Sequence, residues 1–135
     1  MTITREIPIE ALRVKIDADL VKQALLNVVL NGVQAMPNGG TLTIAATRYD
    51  ESAEITVRDQ GGGIPADIRD KIFNLYFTTK QKGSGIGLAM AYRVMQLHNG
   101  SIDYDTVEGQ GTTFHLRFPI ADSQQSVAQE VIAQT

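Results

Sequence analysis

Gln23, Asn27, Asn31 and Gln34 fall at spacings of four, four and three. Residues so spaced share one face of a helix. A stripe of this kind can simply face solvent. Two features point elsewhere. An exposed face is usually rich in Lys and Glu, and this one is all amide. The rest of the segment is apolar nearly all round, which predicts burial, and buried amides need partners. Two Asn oxygens one turn apart suit a hard cation such as Mg2+, which takes oxygen ligands and keeps several waters and phosphate oxygens.

A second group is DQGGGIP, Asp59 to Pro65. The preceding AEITVRD reads as a strand, and alternation puts Asp59 on the same inward face as Ile55 and Val57. An inward carboxylate is costly unless it is hydrogen-bonded. It can cap its own loop, as Asp often does, or accept from a ligand amino group. The glycines behind it let a flat ligand approach the backbone; which of Gly61, Gly62 and Gly63 needs a positive φ is not set by composition. A third group is KGSGIGLAMAY. Gly83, Gly85 and Gly87 lead into a helix whose free amides and dipole can hold an anion. No GK[ST] closes it, so it is not a P-loop, and GxGxG with no strand before it is not the dinucleotide fingerprint. Lys80 and Lys82 flank it; they are either ordinary exposed lysines or groups that reach phosphates. A cation site, an amino-group acceptor and a phosphate site together suggest a Mg-nucleotide, with adenine favoured by its exocyclic amine.

The elements that must position these groups follow from the pattern. Ile7, Ile9, Leu12, Val14 and Ile16 alternate loosely and predict one or two short strands. Asp17 is a plausible N-cap for a helix from Ala18 to Met36, which Pro37-Asn38-Gly39-Gly40 ends. TLTIAATRY and AEITVRD predict a hairpin turning at Tyr49 to Ser52. PADIRDKIF predicts a short helix with Pro65 in its first turn. FTTKQKGSG is a polar loop, and GLAMAYRVMQLHNG a second long helix closed by Asn99-Gly100. SIDYDTV and GTTFHLRFP predict a last hairpin. Hairpins interleaved with helices imply an α+β fold, a two-layer α/β sandwich with a mixed, mostly antiparallel sheet and helices on one face. A doubly wound sheet does not fit, because the second and third strands are adjacent.

The chain has 135 residues, with 12 basic against 15 acidic residues, a net charge of -3 and no cysteine. That is one domain on size, with residues 1–120 folded and 121–135 a polar, disordered tail. The charge argues against nucleic-acid or anionic-membrane surfaces. No apolar run reaches the ~20 residues of a membrane span, so the expected setting is cytoplasmic, whatever anchors a longer parent.

In order, these segments resemble the catalytic ATP-binding domain of sensor histidine kinases, in the superfamily shared with DNA gyrase, heat-shock protein 90 and mismatch-repair ATPases. LLNVVLNGVQAM resembles the N box, DQGGGIP the first G box, IFNLYFTTK the F box, GSGIGLAMA the second G box and GQGTTFHLRFP the closing strand. The TTK form and brief lid look most like nitrogen-regulation-type kinases. The resemblance implies the Bergerat sandwich with a short lid over ATP. It makes Asn31 the Mg2+ ligand, with Asn27 beside the triphosphate. Asp59 becomes the adenine acceptor, with Gly61, Gly63 and Ile64 shaping that pocket and Thr112 supporting it through water. Thr79, Gly83, Ser84, Gly85, Ile86, Gly87 and Leu88 line the nucleotide, and Lys80 reaches the γ-phosphate. Gly32 stands where Ala is usual.

ATPases of that superfamily carry Glu at position 27 as the base for water. Asn cannot take up a proton at neutral pH, so transfer to a protein side chain is expected over hydrolysis. The acceptor implied is a histidine on a separate dimerisation domain, with a response regulator downstream and this domain itself monomeric. Neither His98 nor His115 is followed by the acid of the acceptor motif, so neither is expected to be the acceptor; His98 is expected to cap its helix and His115 to be an exposed strand residue. The alternatives are an anti-sigma-factor-type serine kinase and a nucleotide-binding module without transfer.

Overall fold

The computed structural model describes residues 2–6, 17–49, 51–78 and 85–120. The predicted strands between Ile7 and Ile16, and the tail from 121, lie outside them. Strand β1 is Thr2–Glu6, α1 is Ala18–Gln34, β2 is Thr41–Tyr49 and β3 is Ser52–Arg58. A 3₁₀ helix covers Ala66–Lys71, followed by α2 at Gly87–Leu97, β4 at Ser101–Val107 and β5 at Gly111–Pro119. The strands form one sheet in the order β1-β2-β3-β5-β4. Among the described strands only β1 runs parallel to its neighbour, β2; the other pairings are antiparallel. This is the mixed, mostly antiparallel sheet that the pattern predicts.

Alternation along the strands builds the core. Leu42, Ile44, Ile55, Val57, Phe114, Leu116 and Phe118 all face inward and are essentially inaccessible. Each such side chain contributes about 1.5–3 kcal/mol of burial. Val21, Ala24, Leu25 and Val28 of α1 and Ala91, Val94 and Met95 of α2 supply the second layer. Asp17 starts α1 as expected, its Oδ1 accepting from the amides of Asp19 at 3.1 Å and Leu20 at 3.2 Å. The helix stops at Gln34, with Ala35 as cap, slightly short of the predicted Met36.

Helix α2 ends in a six-residue capping turn. The Gly100 amide donates to Met95 O at 2.9 Å and the Asn99 amide to Gln96 O at 3.1 Å, with Asn99 at φ 57°. Asn takes the left-handed position that Gly more often fills. His98 is the C-cap residue, and it also reaches outward. The Asp17 amide donates to His98 Nε2 at 2.9 Å, while Nδ1 lies 2.7 Å from Val94 O. A donor at Nε2 and an acceptor at Nδ1 fix the tautomer: Nδ1 carries the proton. The imidazole therefore ties the start of α1 to the end of α2.

The outer face of the sheet corrects one expectation. His115 is not an exposed strand residue; its side chain is 16% exposed, with Nε2 2.8 Å from Asp105 Oδ2 and Nδ1 3.4 Å from Glu54 Oε1. Its strand lies between β3 and β4, so carboxylates from both sides close over the ring. Beside it Arg117 donates to Glu54 at 2.6 Å and to Asp103 at 2.9 Å. The Glu54 hydrogen bond, more than opposing desolvation, raises Arg117 above the ordinary arginine value. A raised cation contributes stability at every pH below its unfolded value and loses it only in strong alkali.

Candidate functional site

Asp59 follows the last residue of β3. The inward phase set by Ile55 and Val57 carries it under α1, where it is 4% exposed. Its Oδ1 accepts from the Gly61 amide at 2.9 Å and the Thr112 amide at 3.2 Å. Burial therefore does not carry the cost of an unpaired charge. Capping of its own loop and presentation to a cavity turn out to be compatible, since Asp59 does the first and lines the second.

The three glycines divide their roles. A Cβ on Gly61 would stand 2.6 Å from Ala35 O, so this position must be small. Gly63 has φ 77°, and a Cβ there would also lie 2.6 Å from Val107 O. Gly62 has neither constraint, and it lines the cavity.

That cavity measures about 490 Å3, within the ~300–1,000 Å3 usual for small-molecule sites. It brings together Asn27 and Asn31 from α1, Asp59, Gly63 and Ile64 after β3, Gly85, Gly87 and Leu88 at the start of α2, and Thr112 from β5. Gly61 and Ile86 are not part of the lining. Thr79, Lys80, Lys82, Gly83 and Ser84 lie outside the described residues. The sequence reading missed the apolar wall: Leu30, Ile68, Ile72, Phe77 and Phe114. Ile68 and Ile72, four apart, and Phe114, on the same strand face as Thr112, carried a usable signal.

The amide stripe also needs correcting. It is not buried: Gln23 and Gln34 are exposed, and Asn27 and Asn31 are half-buried. The helix is not apolar all round in effect either, because Leu26 and Leu30 are 45% and 46% exposed. Asn27, Asn31 and Gln34 face the cavity, and Gln23 lies beyond it.

Helix α2 opens onto the same space. Its N-cap Ile86 has no side-chain oxygen to cap the first turn, unlike Asp17 on α1, and a helix start of that kind is a general anion-binding element. A Cβ on Gly87 would sit 3.7 Å from Asn27 Cβ, which places this helix start beside the Asn pair. Among the described residues no cluster of three or more His, Cys, Asp or Glu could cage a metal. Asn27 and Asn31, which line the cavity, carry the amide oxygen that a hard cation accepts as ligand.

The family described as histidine kinase-, DNA gyrase B- and HSP90-like ATPases matches residues 16–122. The chain belongs to that family. Membership makes it an ATP-binding domain, and the relatives it matches are named histidine kinases. It is 40% identical over 107 residues to the sensor histidine kinase ZraS of Escherichia coli K12, covering 79% of this chain and 23% of ZraS. It is 38% identical over 103 residues to sporulation kinase A of Bacillus subtilis 168, covering 76% of this chain and 17% of that kinase. The chain thus spans about a fifth of the curated relatives it matches. Among solved structures it is similar to the nucleotide-free catalytic domain of histidine kinase ThkA, with TM-score 0.78 and 31% identity over 88% of this chain and 78% of that one. It also resembles full-length ShkA in complex with AMPPNP, with TM-score 0.80 and 25% identity over 93% of this chain and 27% of that one. The mixed sheet with two covering helices is the sandwich of this family. Among the described residues no helix is long and apolar enough to cross a membrane.

Proposed function

We propose that this domain binds ATP with Mg2+ and donates the γ-phosphoryl group to a histidine on a separate phosphoacceptor domain, within two-component signalling. The observation that carries the base assignment is the buried Asp59, held by two backbone amides at the wall of the cavity. A carboxylate so fixed accepts from the adenine amine. Thr112 supports it, and Gly63 and Ile64 flank the base. The start of α2, with Gly85, Gly87 and Leu88, faces the phosphates, and Asn31, with Asn27 beside it, supplies amide oxygen to Mg2+. Lys80 is assigned to the γ-phosphate through the F-box resemblance.

In the transfer, the bond between the γ-phosphorus and its bridging oxygen breaks as a P–N bond forms. ADP takes the bridging electrons, and the acceptor imidazole gives up a proton. Bound Mg2+ supplies charge neutralisation at the phosphates. Asn27 holds no proton-accepting group, so it positions and does not activate water; catalysis rests on orientation and charge stabilisation. His98 and His115 are committed to Asp17, Val94 and Asp105, which leaves the acceptor to another polypeptide segment. Ile86, Met90 and Leu97 on one face of α2 are 38%, 39% and 57% exposed; an apolar stripe beside the cavity supports docking of a second domain. Histidine kinases among the relatives favour this reading over a serine kinase or a silent module.

The test has two arms. Asp59→Asn keeps an oxygen for the Gly61 and Thr112 amides but turns a donor toward the base. The variant should retain its melting temperature and lose about 10- to 100-fold in ATP affinity, the scale of a mismatched buried polar group. Wild-type affinity would remove Asp59 from the base site. In the second arm, labelled ATP should leave no phosphohistidine on this chain alone and should label a cognate acceptor domain added in trans. Self-labelling would overturn the separate acceptor, and saturable binding without any transfer would sink the kinase assignment.

A further inference from the structure

Thr106 lies on β4, next to the cavity and not in its lining. Its hydroxyl is a three-way junction. The Ile64 amide donates to Thr106 Oγ1 at 2.9 Å. Gly111 O lies 3.2 Å from the same oxygen, and Thr112 Oγ1 lies 2.9 Å away. A hydroxyl has one proton and two lone pairs. All three contacts are hydrogen bonds in one arrangement only. Thr106 gives its proton to Gly111 O, and its lone pairs receive the Ile64 amide and the Thr112 hydroxyl. If Thr106 instead donated to Thr112, the Gly111 contact would join two acceptors.

The arrangement that satisfies every group has a consequence inside the cavity. Thr112 is 6% exposed and lines the space beside Asp59. With its proton spent on Thr106, it shows only lone pairs to a ligand. Asp59 is acceptor-only as a carboxylate. This end of the cavity then presents acceptors and no side-chain donor from either residue.

The geometry points to Thr106 as a positioning residue that fixes the direction of the Thr112 hydroxyl, and through it sets the preference for a purine with an exocyclic amine over one with a carbonyl at that carbon. The inference rests on the assignment of Asp59 to the adenine amine. It adds the residue that stops Thr112 from turning its proton toward a carbonyl, directly or through a bridging water. The same hydroxyl holds the Ile64 amide, so it also fixes the backbone just past the three glycines.

ATP and ITP differ at this carbon by amine against carbonyl, with the neighbouring N1 changing from acceptor to donor, so the ratio of their affinities reads how this purine edge is recognised. Wild type should prefer ATP. Thr106→Val removes the hydroxyl at nearly constant shape, and frees the Thr112 proton. The ATP-over-ITP ratio should narrow about three- to tenfold, the scale of one hydrogen bond. Thr106→Ser should restore it. In a Thr112→Val background the Thr106→Val change should leave the ratio where it is, because the residue acts through Thr112. Should the valine variant fail to fold, Thr106→Ala reads the same ratio. A purely structural role would weaken both nucleotides equally, and an unchanged ratio overturns the inference. So does a shift that persists without the Thr112 hydroxyl. A wild-type chain that binds ATP and ITP equally overturns the Asp59 assignment, and this inference with it. A wild-type preference that Thr106→Val leaves intact overturns the inference alone.

Discussion

Three adjacent glycines look interchangeable in a sequence, and at the scale of single residues they are not. Gly63 combines φ 77° with a Cβ position 2.6 Å from Val107 O, a backbone atom that cannot swing away. Gly62 has an ordinary φ and open space. Gly63→Ala should therefore cost about 2 kcal/mol or more, from left-handed strain added to a clash. Gly62→Ala should stay within about 0.5 kcal/mol of wild type, as surface substitutions do. Denaturant titration of the two variants checks this, and equal losses would mean that the loop can remodel. The same contrast shows what was legible. Asp59 could be aimed inward by counting in twos from Ile55. Neither the division among the glycines nor the junction at Thr106 could be read, because they depend on Ala35 and on the Val107–Gly111 turn packing onto the loop from elsewhere along the chain.

At the scale of elements, the helices were the most readable part. Asp17 and Asn99-Gly100 mark a start and an end by local chemistry alone, and both perform as such. Strand β1 was not readable. TITRE pairs with β2 through its backbone at the sheet edge, and its Ile3 is 49% exposed, so apolar periodicity had nothing to report. His115 failed for a related reason: its neighbours Glu54 and Asp105 sit on other strands. The link between the helices was equally hidden, since Asp17 and His98 are 81 positions apart. Removing that link is informative. His98→Ala should lose about 1–2 kcal/mol, the value of one or two hydrogen bonds. Amide exchange at Asp17 should quicken more than exchange in the middle of α1. Unchanged protection at Asp17 would show that the imidazole only fills space.

For the whole molecule, the cavity is the meeting place of α1, the loop after β3, the 3₁₀ helix, α2 and β5. Their order along the chain could be matched to boxes, but the apolar wall of Leu30, Ile72 and Phe114 emerges only when the layers close. A ligand held there stitches together segments far apart in sequence. ATP with Mg2+ at a hundredfold excess over its dissociation constant should add about 2.7 kcal/mol, a rise in melting temperature on the order of 10 °C. Chelation should shrink that rise, while an unaltered shift in EDTA would remove the cation from the binding step. One backbone bond has a consequence of another kind. The Tyr76 amide donates to Gly85 O at 2.7 Å, so the segment after the 3₁₀ helix and the approach to α2 are pinned to each other at a single point. Gly85 has φ 73°, and a Cβ on it would run into the Tyr76 backbone, so a side chain is shut out of this point. Replacing Gly85 would thus press on the Phe77 wall and on the start of α2 together, and alter the cavity from both sides while the sheet stays as it is.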